Sequence, residues 1–99
     1  MQQIKTKEKI PWPTGDYSEN FEFSASASDG VFVFNFKWLN DQWNVWVQLP
    51  DGEVRQAAVL PGVISWSECT GYGLVFETSL TKIEYASLFL TELYVLKWV

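Results

Sequence analysis

From Asn20 onward the apolar residues repeat with a period of two, and this most constrains the fold. In NFEFSASA, Phe21, Phe23, Ala25 and Ala27 share one face, while Glu22, Ser24 and Ser26 point away. VFVFNFKW repeats the pattern, with Phe32, Phe34, Phe36 and Trp38 on one side and Val31, Val33, Asn35 and Lys37 on the other. WNVWVQLP sets Trp43, Val45, Val47 and Leu49 against Asn44, Trp46 and Gln48. Side chains alternate faces along a strand, so this spacing spells half-buried β-structure and excludes an amphipathic helix. Turn chemistry separates the runs: Asp29-Gly30, then LNDQ, then Pro50-Asp51-Gly52. Glycine accepts the positive φ of a tight hairpin and proline presets φ, so an antiparallel meander follows.

The second half is less regular. EVRQAAVL reads as a fourth strand closed by Pro61-Gly62, with VISW as a short continuation. Gly71 and Gly73 bracket Tyr72, where glycine marks a bend, a bulge or close backbone approach. LVFET is a fifth strand, and Leu80 to Leu88 suits one helical turn, with Thr81 as N-cap and Glu84 three residues on. The closing TELYVLKWV places Leu93, Val95, Lys97 and Val99 on one face and Tyr94, Leu96 and Trp98 on the other. Apolar groups on both faces mean a strand covered on both sides, or an edge covered by a partner. The expected fold is all-β: a small antiparallel barrel, OB-like, or a sandwich, of five to seven strands with one short helical turn.

Residues 1–19 read differently. Pro11, Pro13 and Gly15 in IPWPTG break regular structure, and Pro-Trp-Pro favours an extended chain. We read 1–19 as an extended arm and 20–99 as a single all-β domain; 99 residues leave no room for a second core. Trp12 is then a stiff anchor, either folded back on the body as a lid or docked on a neighbouring chain.

Composition removes much chemistry. Without histidine there is no Ser/His/Asp triad, Cys/His dyad or His-ligated metal or haem site, and no side chain that ordinarily titrates near neutrality. The single Cys69 forms no internal disulfide and reads as a small buried hydrophobe, consistent with a reducing compartment. The opening MQQIKTKEKI is mostly polar and does not read as a leader, and no apolar run approaches a membrane span. Seven basic and twelve acidic residues give a net charge of −5. Lys5, Lys7 and Lys9 balance Glu8, Asp16 and Glu19, so residues after Glu19 carry the whole excess. A nucleic-acid binder needs a basic stripe, and this chain has none.

Carboxylates are the remaining catalytic candidates: Asp51, Glu53, Glu68, Glu77, Glu84 and Glu92. A glycosidase needs two of them about 5–10 Å apart across a cleft, one with a raised pKa. Here each falls in a turn or on a polar face, which reads as solvated surface charge. Gly71-Tyr72-Gly73 lacks the Lys, Ser/Thr and following helix of a phosphate loop. No active site emerges, and neither a cofactor nor a metal is expected.

What remains is aromatic surface, since 17% of the chain is aromatic and six residues are Trp. Phe21, Phe23, Phe32, Phe34, Phe36, Trp38, Trp43 and Phe76 suffice for a small β core. Trp46 faces away from Trp43, and Trp12, Trp66, Tyr72, Tyr94 and Trp98 have no obvious place in that core. These six are the candidate partner-binding residues. A second cluster over the outer face of a wall would also absorb them. As surface groups they would stack on sugar rings in a carbohydrate-binding module, or be buried against neighbours in an assembly.

The order of elements resembles the small baseplate plug proteins of contractile-tailed bacteriophages. It has a Pro-rich start, Phe21-Glu22-Phe23, a Trp-containing hairpin from Trp38 to Trp46, and Pro50-Asp51-Gly52. VLPGV at Val59 to Val63, the Gly71 to Leu74 stretch and the terminal LYVLKWV follow, so the resemblance runs from about Ile10 to Val99. Its motifs are turn and core signatures; the Lys-bearing start and the tryptophan richness fall outside the pattern. The resemblance implies a virion component, made in the host cytoplasm, that blocks the tube lumen at the central hub until the tail contracts. Its partners would be hub, spike and tube proteins, with several copies of itself in the assembly, no nucleic acid and no membrane insertion. A subunit of a bacterial contractile injection system would share the same logic.

Overall fold

The computed structural model describes residues 3–15, 18–66 and 71–99; Asp16, Glu68 and Cys69 fall outside them. Among the described residues, seven antiparallel strands form two sheets. β2 (Asn20–Ala27), β3 (Gly30–Leu39), β4 (Gln42–Gln48) and β5 (Val54–Ala58) build a four-stranded meander in that order. β1 (Ile4–Ile10), β6 (Tyr72–Glu77) and β7 (Glu92–Trp98) build a second sheet in the order β1-β7-β6. The architecture is a sandwich; an OB-like closed barrel does not form, because among the described residues no strand pairs one sheet with the other.

Each hairpin follows from its turn residues. Ser28 and Asp29 turn between Ala27 and Gly30, with Gly30 at φ 135°. Asn40 and Asp41 both take positive φ, 54° and 59°, between the paired Leu39 and Gln42, the left-handed backbone conformation that lets a two-residue turn match the right-handed twist of its strands. At Pro50-Asp51-Gly52, the Asp51 carboxylate accepts the Glu53 amide at 2.9 Å and the Leu49 amide reaches the Glu53 carbonyl at 2.7 Å.

The inward faces are those that the alternation predicts. Phe32, Phe34, Phe36, Trp43, Val45, Val47 and Leu49 are buried, and they meet Leu74, Phe76, Leu93 and Val95 from the small sheet. At roughly 1.5–3 kcal/mol for each large apolar side chain removed from water, these residues carry most of the stabilisation.

Three connections close the molecule. Ile4–Ile10, within the extended N-terminal segment, is a strand along β7, pairing Ile10 with Leu93 through Thr6 with Lys97. Residues 59–66 cross from β5 to the small sheet, where Pro61 and Ser65 bridge to Phe76 and Leu74 beside β6. The β6–β7 connection caps one end with buried Ile83 and Leu88. Its helical turn is a 3-10 turn at Leu88–Leu90, and not a helix started at Thr81. The Trp43 indole donates to the Tyr85 carbonyl at 3.2 Å and anchors this connection on the core.

Candidate functional site

The six aromatic candidates do not converge on one site. Trp12 is partly buried and packs against the core of the sandwich. Its ring meets Phe23, Phe36, Phe76 and Phe89 at centroid distances of 5.3–6.4 Å, and its indole donates to the Thr91 carbonyl at 2.7 Å. The arm therefore folds back, and the absence of a place for Trp12 in the core is corrected. The two prolines hold the segment extended, which carries the ring into the mouth between the sheets.

Trp66 and Tyr72 also pack against the core. The Trp66 indole donates to the Gln56 carbonyl on β5 at 3.3 Å. Tyr72 stands edge-on to Phe32 at 5.4 Å and donates to Asp29 at 3.1 Å, with the Lys97 ammonium 4.1 Å from its ring centroid. Lys97 also pairs with Asp29 at 3.1 Å. The hydrogen bond from Lys97, then that from Tyr72, holds the Asp29 carboxyl below its ordinary value, and Asp29 in turn raises Lys97. This cluster ties the β2–β3 turn to the small sheet.

Trp46 is half-buried on the outer face of the large sheet. It sits in a cross-strand row of Glu22, Asn35, Trp46 and Gln56, with the Lys37 ammonium 5.3 Å from its ring centroid. Asn35 donates to Glu22 at 3.2 Å.

Tyr94 and Trp98 alone share a face, the outer side of the small sheet. Tyr94 donates to Glu92, which raises its own phenol pKa, and the Lys7 ammonium lies 4.6 Å from its ring centroid. Lys7 pairs with Glu77, and Lys9 reaches Glu92 at 4.0 Å, so two of the three lysines of the first strand are matched by acids of β6 and β7. Between Tyr94 and Trp98, Leu96 is 1% exposed although it points away from the core. β7 is thus the central strand of its sheet and is covered on both sides.

A largely apolar groove of about 310 Å³ runs over this face, floored by Val75 and Leu96, walled by Ile4 and Ile64, and bordered by the Lys7–Glu77 ion pair. Ile4 and Ile64 are 48% and 42% exposed, and neighbouring Val63 is 49% exposed. The candidate set missed these aliphatic residues. The available signal was Val63-Ile64 directly after Pro61-Gly62, two β-branched apolar residues following a turn. Among the described residues, no group of three Asp, Glu, Cys or His side chains gathers as a metal site would require, and no helix is long and apolar enough to cross a membrane. No protein-family model, curated protein or solved structure matches the chain.

Proposed function

We propose that this chain is a structural subunit of a contractile-tail baseplate, one that plugs the tail tube at the central hub and acts by packing rather than by catalysis. The apolar groove on the outer face of the small sheet carries the reading. Exposed aliphatic groups gathered around a buried floor gain about 25 cal/mol for each Å² that a neighbour covers. A plug that is expelled on contraction needs a moderate interface with a few anchors, and a groove of about 310 Å³ admits one or two side chains of a partner. The net charge of −5 suits a body that repels DNA within the lumen. Its partners are the hub, spike and tube proteins, and its place is the virion.

The test is assembly with the hub and tube proteins encoded beside its gene, imaged in the baseplate. The chain is expected at the tip of the tube, and Ile4→Asp is expected to abolish its incorporation while leaving the melting temperature within a few degrees. Incorporation that survives Ile4→Asp removes the groove from the argument, and failure to associate with any baseplate protein removes the plug. Tape-measure, sheath and spike genes beside this one support a contractile machine, and their wider gene context separates a phage from an injection system.

The row of Glu22, Asn35, Trp46 and Gln56 favours a second reading, a carbohydrate-binding face with one ring for stacking and flanking amide and carboxylate groups for hydroxyls. Glycan binding lost in Trp46→Ala, without any assembly partner, selects it over the plug.

A further inference from the structure

The sandwich has four sheet edges, and three are guarded. The edge of β6 is occupied by the 61–65 segment, with the Gly62 amide on the Phe76 carbonyl at 2.8 Å and Ser65 and Leu74 exchanging two bonds at 3.1 and 3.2 Å. The five-residue β5 accepts the Trp66 indole at Gln56. β1 carries exposed Lys5, Lys7 and Lys9 and a register shift between Ile4 and Thr6, two devices that discourage edge pairing.

β2 is less protected: its register with β3 is unbroken and its one charge, Glu22, lies near one end. It is eight residues long, and from Phe23 to Ala27 it has no charge, proline or bulge. The pair Ala27–Gly30 closes the hairpin, and the Trp38 amide bonds the Glu19 carbonyl at 2.8 Å, so odd-numbered residues turn their backbone groups toward β3. Glu22, Ser24, Ser26 and Ser28 turn theirs outward. At Ser28 the Glu8 carboxylate accepts the amide, at 2.9 and 3.1 Å, and also the hydroxyl. Among the described residues no hydrogen bond reaches the outward amides of Ser24 and Ser26.

We infer that β2 is a homodimerisation edge, pairing antiparallel with β2 of a second copy about a two-fold axis at Ala25. In that register Ser24 faces Ser26 of the second copy and exchanges backbone bonds with it. Phe23 lies beside Ala27 of the second copy on the inner side, large against small. Glu22 faces Ser28 of the second copy, whose amide stays with its own Glu8, so the shared ladder is confined to the two Ser24–Ser26 pairs. The residue pattern is therefore complementary to itself. A foreign strand added to an edge draws specificity from side-chain pockets at alternate positions, and exposed Ser24 and Ser26 supply none. The result is one continuous eight-stranded sheet with an isologous interface. The inference does not depend on the baseplate reading.

Sedimentation of the full chain from about 10 μM to about 1 mM, a range that spans a weak dimer, tests it. A reversible dimer is expected, with the Ser24 and Ser26 amides exchanging more slowly as concentration rises and the Lys5 amide unaffected. The double variant Ser24→Lys, Ser26→Lys brings four like charges together and should raise the dimer dissociation constant by roughly tenfold or more. Ser24→Pro, which removes only an outward amide, should do the same, with circular dichroism confirming the fold of each variant. A chain that is monomeric throughout, a dimer that both variants leave unchanged, or protection of these amides only by a different protein overturns the proposal.

Discussion

The sharpest perturbation is Trp12→Ala, because it separates an internal strut from a clasp for a neighbouring chain. The ring sits among four phenylalanines, and its indole is the donor on the carbonyl of Thr91, a residue only 3% exposed. Truncating a core Trp costs about 3–5 kcal/mol, a figure that includes the cavity. A buried carbonyl left without a donor adds about 1–3 kcal/mol. Trp12 is only partly buried, so the lower end of each range applies and the sum is about 4 kcal/mol. That is a large share of the 5–15 kcal/mol typical of a domain, and at about 4–8 °C per kcal/mol it lowers the melting temperature by roughly 15–30 °C. Trp12→Phe keeps much of the ring contact but loses the bond to Thr91, and should cost about 1–2 kcal/mol. Urea unfolding followed by far-ultraviolet circular dichroism reads both values without interference from the five other tryptophans. A Trp12→Ala chain that loses less than about 1 kcal/mol refutes the packing argument, since a side chain reserved for a neighbour leaves the isolated domain unharmed.

Three further outcomes follow from local geometry. Asp41→Gly should stabilise by about 0.5–1 kcal/mol in urea unfolding, because Asp41 takes φ 59° at the second turn position, where glycine carries no steric penalty. Gly73→Ala should cost about 1–3 kcal/mol, since a methyl group there meets Ile64 Cγ2 at 3.0 Å and Trp98 Nε1 at 3.2 Å, and the loss should shrink in an Ile64→Ala background. Stability should depend on the Asp29–Lys97 pair with a fixed sign. The lowered Asp29 pKa gives a contribution present in full above the unfolded value of 3.8 and lost as pH falls through the lower folded value. The raised Lys97 pKa gives one present below 10.5 and lost as pH rises through the higher folded value. Thermal melts of Asp29→Asn across pH should flatten the acid slope relative to the parent chain; an unchanged slope assigns it to other carboxylates.

The meander was readable because its information is local. Alternation over Phe21–Ala27, Phe32–Trp38 and Trp43–Leu49, with turn residues between, specifies both strand and inward face. Turn chemistry placed Asn40-Asp41 and Pro50-Asp51-Gly52 correctly, because those residue types adopt the backbone conformations of tight turns at the lowest cost. The candidate site was less legible. Trp12, Trp66 and Tyr72 looked surplus to a core built from one sheet, yet stacking the sheets sets Trp12 against Phe76, Tyr72 against Phe32 and the Trp66 indole on Gln56, and the small sheet joins the two ends of the chain. The groove went unseen because Ile4, Ile64 and Leu96 are far apart in sequence and meet only through β1–β7 pairing and the crossing of residues 59–66.

By itself the sequence determined an all-β chain, the faces of its central strands and a chemistry without histidine. Tertiary structure decided that IKTKEKI is a strand, that the sheets stack and do not close, and which aromatic rings are interior. A strand's period is a property of its own side chains, which contiguous residues express. Its partner, and hence which of its faces is covered, depends on a register with residues such as Leu93–Trp98, more than eighty positions away from those of β1. A shift of one residue there exchanges the two faces, and only the packed core fixes which is kept.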